Sequence, residues 1–357
     1  MKTITEPLSN PQQLKTRWEE LKREYPKLRS RDAADQLGVS EAELIASVCD
    51  GVDVIRLTPH WEEIFMNLEP LGRLMALTRN ASAVHEKTGL YRNVSFQGHA
   101  GLVLDEQIDL RIFHKRWGFG YAVPVRNPKG TLHSLQFFDR AGDAVHKIYL
   151  RDETKMDLYR QLIEQFRHSD QSPDITVSRQ TDKHEYLSPD QIDKDLFLDA
   201  WAGLEDTHDF FPLLKKFNVD RTDALRLGRG RFTWKVSNRA TDRMLHLASA
   251  EDVHIMVFVK NSGMIQIHSG PVQTIRKMDS WLNVLDQEFN LHLREDQIAE
   301  SWIVEKPTKD GTVTSLELFD SEGEQIATFF GARKPGKPEL ESWRTITNQL
   351  KESEETE

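Results

Sequence analysis

At 357 residues the chain has room for about two domains, and its formal charge of −10 excludes a protein whose overall field gathers it onto phosphate backbones. A single cysteine, Cys49, excludes a disulfide framework, a cysteine-built zinc or iron–sulfur centre and the Cys-x-x-Cys-His attachment of covalent haem. The start Met-Lys-Thr-Ile-Thr-Glu-Pro lacks the apolar core of a secretory signal, and no apolar run approaches the length of a membrane span. A soluble, reduced, cytoplasmic protein without membrane insertion is expected.

The first fifty residues read as helices. Gln12 to Tyr25 places Leu14, Trp18 and Leu21 on one face and stops at Pro26. Ser30 can cap a short helix that ends at Gly38, and Ser40-Glu41-Ala42-Glu43 is a capping box. Short β-rich runs follow: Gly51–Leu57, Arg73–Thr78, Ala83–His85, Arg92–Phe96 and Tyr121–Arg126. Leu132–Asp139 and Ala144–Leu150 form a hairpin through Arg140-Ala141-Gly142-Asp143. Leu104–Phe113 and Lys155–Arg167 are read as helices.

The polar stretch around 168–183 is read as a linker. Helices are then expected across Pro189–Leu225 and at Asp279–Phe289, with a last one from Pro338. Strands are expected at Arg231–Val236, His246–Ala248, His254–Val259, Met264–His268, Ser301–Glu305, Val313–Asp320 and Gln325–Phe330. The C-terminal Lys-Glu-Ser-Glu-Glu-Thr-Glu reads as a frayed acidic tail. Expected bounds are 1–168 for the first domain, 169–183 for the linker, 184–350 for the second domain and 351–357 for the tail.

The two halves are alike. Gly130-Thr131 … Ser134-Leu135 … Phe138-Asp139 … Gly142 recurs at the same spacing as Gly311-Thr312 … Ser315-Leu316 … Phe319-Asp320 … Gly323, and a Trp precedes each block (Trp117 and Trp302). A repeat this long means duplicated domains. Helices lead each half and strands follow, so the fold class is α+β: two tandem similar domains, each a large, mostly antiparallel sheet with helices.

Dinucleotide, Walker, His-Glu-x-x-His and Gly-x-Ser-x-Gly signatures are absent, and no histidine pair has helical metal spacing. One segment stands out: Asp206-Thr207-His208-Asp209-Phe210-Phe211-Pro212. Pro212 has no amide hydrogen and crowds the carbonyl at His208, so a helix must start, kink or stop there. His208 then either hydrogen-bonds locally at a helix end or points into a cleft, where an imidazole beside aromatic rings suits a large planar ligand holding iron. Aligning Val39-Ser40-Glu41 with Val219-Asp220-Arg221 sets His208 opposite Leu28, which cannot ligate a metal.

Downstream, Arg221, Arg226, Arg229, Arg231, Lys235, Arg239 and Arg243 stand against only Asp223 and Asp242. This basic strip reads either as a solvated face or as the seat of a bound anion such as a pair of carboxylates. The stretch Arg31 to Ile45 has the outline of a helix-turn-helix, but its second helix offers Glu41 and Glu43 and would repel phosphates. A helical hairpin shared by both halves is the favoured reading, and nucleic acid is not an expected partner.

Taken together, Trp201, Asp206-Thr207-His208-Asp209-Phe210-Phe211, Lys216-Phe217, Arg221 and Ala224-Leu225-Arg226-Leu227 resemble the cytoplasmic haemin-utilisation proteins of the HemS, HmuS and ChuS type. Thr78-Arg79-Asn80, Gly98-His99-Ala100-Gly101, Asp109-Leu110-Arg111 and the twin Ser-Leu-x-x-Phe-Asp blocks extend the resemblance over nearly the whole chain. It implies two similar halves forming a saddle with haem b held non-covalently in a cleft. The axial histidine falls on His208, the haem-contacting basic residues on Arg221, Lys306 and Arg333, and an aromatic contact on Phe258. The distal, catalytic arginine falls on Arg111 and a secondary haem-contacting histidine on His85. Where relatives can show a tyrosine, this chain reads Ala327-Thr328-Phe329-Phe330, so the phenolic contact is not carried over and Phe329 is counted among the contacts.

The implied function is haem-iron utilisation, with haem degraded to release iron and electrons drawn from an external donor, because no flavin or nicotinamide motif is visible. The alternative is a non-catalytic carrier that delivers haem to a separate oxygenase. Implied partners are haem, a reductase or a haem oxygenase, and a membrane haem importer upstream.

Overall fold

The computed structural model describes residues 10–127, 130–178, 184–333 and 336–352. The end of the expected linker (179–183) and most of the expected acidic tail (353–357) lie outside the described residues. In chain order the elements are α1 (Pro11–Glu24), α2 (Ser30–Leu37), α3 (Glu41–Ala46), β1 (Ile55–Arg56), α4 (Trp61–Met66), β2 (Leu74–Arg79), β3 (Ala83–Gly89), β4 (Ser95–Gln97), β5 (Ala100–Leu104), β6 (Asp109–Ile112), β7 (Trp117–Asn127), β8 (Gly130–Asp139), β9 (Ala144–Leu150) and α5 (Met156–Gln165). There follow α6 (Lys194–Ala202), α7 (Phe210–Phe217), α8 (Arg221–Leu227), β10 (Thr233–Val236), α9 (Ala240–Ala250), β11 (Ile255–Lys260), β12 (Met264–Gly270), β13 (Ile275–Met278), β14 (Trp281–Leu285), β15 (Phe289–Arg294), β16 (Glu300–Thr308), β17 (Gly311–Phe319), β18 (Gln325–Gly331) and α10 (Glu341–Glu352).

The chain divides into two compact units. The first is Met1–Arg79, Glu86–Thr181 and Asn261–Gln266; the second is Asn80–His85, Asp182–Lys260 and Ile267–Glu357. The boundary therefore falls inside both β3 and β12, and neither unit is one continuous stretch of chain.

In the first unit β1, β7, β8, β9 and β2 pair in that order, every pair antiparallel, and β4, β5 and β6 form an antiparallel meander. The second unit repeats both arrangements with β10, β16, β17, β18 and β11, and with β13, β14 and β15. The shared turn after β8 and β17 explains the repeated Phe-Asp-x-x-Gly. Asp139 Oδ1 accepts from the amides of Ala141 and Asp143, each at 3.0 Å, and Asp320 Oδ1 from those of Glu322 and Glu324 at 3.0 and 2.9 Å. Gly142 and Gly323 close these turns at φ 87° and 80°, a region costly for any residue with a Cβ.

Helices cover both faces of each main sheet. On one face of the first unit, α1–α3 lay Leu14, Trp18, Leu37, Leu44 and Ile45 against Tyr121, Val123 and Phe138. On the other, α4 and α5 bury Ile64, Phe65, Tyr159 and Leu162 against Leu135, Phe137 and Ile148. In the second unit α6–α8 pack Phe197, Trp201, Phe210 and Leu214 on Trp302, Val304 and Phe319, and α9 and α10 pack Met244, Leu245, Trp343 and Ile346 on the reverse face. Each such large apolar side chain contributes about 2–3 kcal/mol by leaving water.

The helical caps correspond closely. α2 ends on Gly38 at φ 69° and α7 on Asn218 at φ 50°, both left-handed caps. α3 is opened by the capping box of Ser40 and Glu43, and α8 by Asp220, whose carboxylate accepts from the Thr222 amide.

Four expectations are corrected. Leu104–Phe113 is not a helix but the end of β5, a turn and β6, because Ile108, Leu110 and Ile112 alternate inward. Asp279–Phe289 is strand β14 and the turn into β15. His246–Ala248 lies within α9, where Met244, Leu245 and Ala248 share a buried helical face. Finally, Trp117 and Trp302 are not equivalent. Trp302 lies across from Glu317, whereas Tyr121 lies across from Gln136, the matching residue of the first unit, and Trp117 pairs with Asp139. Helix α4 was not anticipated.

Candidate functional site

The break expected at Pro212 is present. Thr207–Asp209 forms a single 3-10 turn and α7 begins at Phe210, placing Pro212 in its first turn. Asp206 caps the turn, and its Oδ1 accepts from the His208 amide at 2.8 Å and faces His208 Nδ1 at 2.6 Å. Asp206 thereby fixes the imidazole and leaves Nε2 outward, on a side chain 94% exposed. Its own carboxyl is held below the usual range by these hydrogen bonds, and Arg333 adds to the effect. His208 is not sandwiched between the two phenylalanines. Phe210 turns into the core, 4.6 Å from Trp201, while Phe211 is exposed under Lys215.

On the sheet face beside Phe210 sits a charged cluster. Glu317 of β17 is completely buried and accepts from Arg221 Nε and Nη2 at 2.8 Å each, from Lys306 Nζ at 2.8 Å and from Ser315 Oγ at 3.0 Å, with Gln325 Nε2 at 3.2 Å. Burial alone would raise the Glu317 carboxyl, but the charges of Arg221 and Lys306 hold it down at about 2. Lys306, 4% exposed, is lowered from its ordinary value by burial, which the attraction of Glu317 only partly offsets. Both cations also face the Phe210 ring, Arg221 at 5.1 Å and Lys306 at 5.0 Å from its centroid.

Phe258 and Thr328 lie opposite each other on β11 and β18, and Phe258 meets Phe330 edge-on at 5.2 Å. Phe330 in turn faces Lys306 at 5.9 Å. Phe258, Phe330, Lys306, Arg221 and Glu317 thus belong to one neighbourhood, with His208 two residues ahead of Phe210. Arg333, just past β18, has a buried Nη1 with no hydrogen-bond partner among the described residues.

Two expected site residues fall elsewhere, and a third, Arg111, belongs to the first unit. Phe329 points to the opposite face, fully buried beside Trp343 in the core, because strand alternation gives Phe330 the site face. Sequence reasoning missed Phe330, and the alternation of β18 was the signal for it. His85 is completely buried, 5.0 Å from Phe289, which stacks on His268 at 3.8 Å on a parallel plane; that imidazole has no surface to offer a ligand. Arg111, in the first unit, is ion-paired with Asp109 of its own strand and donates to the Leu110 carbonyl.

The basic strip does not act as one patch. Arg226 pairs with Asp223 and Glu300 and Arg231 with Asp199, while Arg221 joins the cluster. Nor does α3 offer a recognition helix: Glu41, Ala42, Leu44 and Ile45 are buried, and Glu41 is salt-bridged to Lys147 at 2.6 Å.

An exposed imidazole fixed from behind, aromatic side chains and cations with spare donors define a protein that binds a planar, anionic, metal-bearing ligand. The family described as "Haemin-degrading HemS.ChuX domain" matches residues 38–166 and 218–350, once in each half of the sequence, and the chain belongs to it. His208 itself lies just ahead of the second matched segment. The chain is 40% identical over 329 residues to the hemin transport protein HmuS of Yersinia pestis, covering 90% of this chain and 93% of that protein. It is similar to the haem-bound structure of PhuS, a heme-binding protein from Pseudomonas aeruginosa, at 43% identity and TM-score 0.93, covering 96% and 99% of the two chains. The heme degrading enzyme ChuS of Escherichia coli O157:H7 matches at 36% identity and TM-score 0.87 over the same shares. Among the described residues no helix is long and apolar enough to cross a membrane, and no group of three or more His, Cys, Asp or Glu is placed to hold a metal ion.

Proposed function

We propose that the second unit binds haem b, with His208 Nε2 as axial ligand and Arg221, Lys306 and Arg333 taking the propionates, in the service of haem-iron utilisation. The carrying observation is His208 itself: Nδ1 is engaged by Asp206 and Nε2 is outward, the arrangement that orients a metal-binding imidazole. The orphaned Nη1 of Arg333 fits a ligand carboxylate, since a buried donor without a partner is costly. Phe258 and Phe330 supply apolar contact beside the cations. The cytoplasmic location implied by the resemblance is part of this reading.

The use made of the ligand follows the family description: haem is degraded and its iron released. Haem and an external electron donor supply the redox chemistry; the residues of this chain bind, orient and neutralise. Arg111 is assigned to the catalysed step. The carrier reading is favoured by one specific observation, the 94% exposure of His208, which leaves the iron ligand accessible to an acceptor protein.

A haemin titration of the native protein and His208→Ala tests the binding reading. A sharp Soret band saturating at one equivalent is expected for the native chain, and a weaker, shifted band for the variant. Identical spectra and affinities remove His208 from the ligand role. Turnover with a reductant and catalase present, yielding free iron and a defined tetrapyrrole, supports degradation; transfer of intact haem to an oxygenase supports the carrier.

A further inference from the structure

The Glu317 carboxylate is not needed to recognise an anion and stands, by charge alone, against one. It lies completely buried on β17 at the centre of the cluster, and two cations, a hydroxyl and an amide converge on it. A group so placed needs a reason, because burying an ion is expensive unless it is paired and hydrogen-bonded throughout. Its two cations are those assigned above to the ligand's acid groups, so the inference rests on that reading.

We propose that Glu317 is a positioning residue, a fixed internal counter-ion that keeps Lys306 protonated and both Lys306 and Arg221 aimed at the site before any ligand arrives. The geometry separates the two tasks of Arg221. Nε and Nη2 are spent on Glu317, while no hydrogen bond holds Nη1 among the described residues. Lys306 gives one hydrogen to Glu317 and makes a long contact to Ser315 Oγ at 3.4 Å. Each cation is thus anchored by part of its donor set and keeps the remainder for a carboxylate.

The charged groups around Lys306 are Glu317 from β17 and Arg221 from the start of α8. Glu317 is the single acid of that set. Phe210 from α7 and Phe330 from β18 face Lys306 as uncharged rings. Without Glu317, Lys306 would face burial and the like charge of Arg221 with nothing opposing them, and its ammonium would be driven further below its ordinary value. The first unit supports this separation of roles: Val125 occupies the register position of Lys306 and Gln136 that of Glu317, so acid and amine are absent together.

Binding of protoporphyrin IX and of its dimethyl ester, both iron-free, reads the acid-group interaction apart from the iron ligand. If the native protein binds the ester as tightly as the free acid, acid-tail recognition by these cations fails, and the inference fails with it for that distinguishable reason. If the acid is preferred, Glu317→Gln decides. Its affinity for the free acid is expected to fall about tenfold or more at about pH 8.5 and to recover towards native at about pH 6.5, as Lys306 regains its proton. Native protein is expected to change less than about twofold across that window, and Lys306→Met to bind weakly throughout. Glu317→Asp, which keeps the charge, is expected to keep the flat profile. A Glu317→Gln profile parallel to native overturns the proposal. Should that variant not fold, carbon-13-labelled lysine in the empty native protein gives the answer directly: Lys306 charged at about pH 8 is expected, and a neutral Lys306 there overturns the idea.

Discussion

Glu41 and Arg221 open the third helix of their respective helical caps, at the same place in the two copies, and carry opposite charge. Each finds its partner on the sheet below. Glu41 meets Lys147 of β9 at 2.6 Å, and Arg221 meets Glu317 of β17. The inversion extends to the row beneath: Gln136 stands where Glu317 stands, and Lys147 where Thr328 stands, since each lies across the strand from the other. Both units therefore bury an ion pair under the cap with a further cation near the acid, Arg79 beside Glu41 in the first and Lys306 beside Glu317 in the second.

Truncation of the two helix-opening residues should separate stability from binding. Glu41→Ala strands a buried Lys147 and is expected to cost about 3 kcal/mol or more in stability, measured by denaturant unfolding, with haem affinity unchanged. Arg221→Ala leaves Glu317 still held by Lys306, Ser315 and Gln325, and its effect is expected mainly in haem affinity, a loss of about ten- to a hundredfold. A Glu41 variant that loses haem affinity as Arg221→Ala does would show that the two copies share the task.

Asp206 carries a second expectation. Its carboxylate lies 2.6 Å from His208 Nδ1 and so orients the ring and strengthens Nε2 as a donor. Asp206→Ala is expected to weaken haem binding about tenfold or more and to shift the Soret maximum of the ferric complex. Substitution of Asp209, whose carboxylate caps the Asp206 amide instead, is expected to leave the spectrum in place. Equal spectra for native protein and Asp206→Ala would mean that the imidazole needs no support from behind.

The duplication, the helical caps and the β8–β9 and β17–β18 hairpins were legible because their signals are local: capping boxes, left-handed cap residues and an Asp-x-x-Gly turn. The β5–β6 and β14–β15 hairpins were not. Their strands are short, and the turn residues Glu106-Gln107 and Gln287-Glu288 are good helix formers, so tertiary pairing overrode propensity. At the site, the helix break beside His208 was readable from Pro212. Glu317 was not. A glutamate inside an alternating strand reads as a solvent-facing residue, and only α8 packing Arg221 over that face makes it a buried ion.

The two turn glycines are unequal. A Cβ on Gly142 would collide with Ser40 Oγ and lie 2.6 Å from Ser40 Cβ, whereas on Gly323 the nearest atom is Thr222 Cγ2 at 3.6 Å. Gly323→Ala should therefore cost only the positive-φ penalty, about 1–2 kcal/mol. Gly142→Ala should cost clearly more, because the cap that holds α3 must shift as well. Thermal unfolding of the two variants checks the order, and equal losses would show that Ser40 yields freely.

Acid should open the two units at different pH. His146 is buried in the first unit between Thr78 Oγ1 at 2.9 Å and Tyr91 Oη at 2.8 Å, and burial lowers it from 6.5 to about 3. Its folded value lies below its unfolded one, so the unfolded chain takes up the proton first. The neutral ring contributes fully above pH 6.5, and stability drains away as pH falls from there towards about 3, by up to about 5 kcal/mol. At the matching place in the second unit stands Ala327, which titrates nothing. On β17 beside it the buried acid is Glu317, lowered from 4.5 to about 2, whose contribution is complete above 4.5 and is lost only below it. Hydrogen exchange in the empty protein stepped from neutral pH to about 5 is expected to expose β8 and β9 while β17 and β18 remain protected. Simultaneous opening of both hairpins in that range would mean that His146 is relieved by a rearrangement, because burial is what holds the ring neutral.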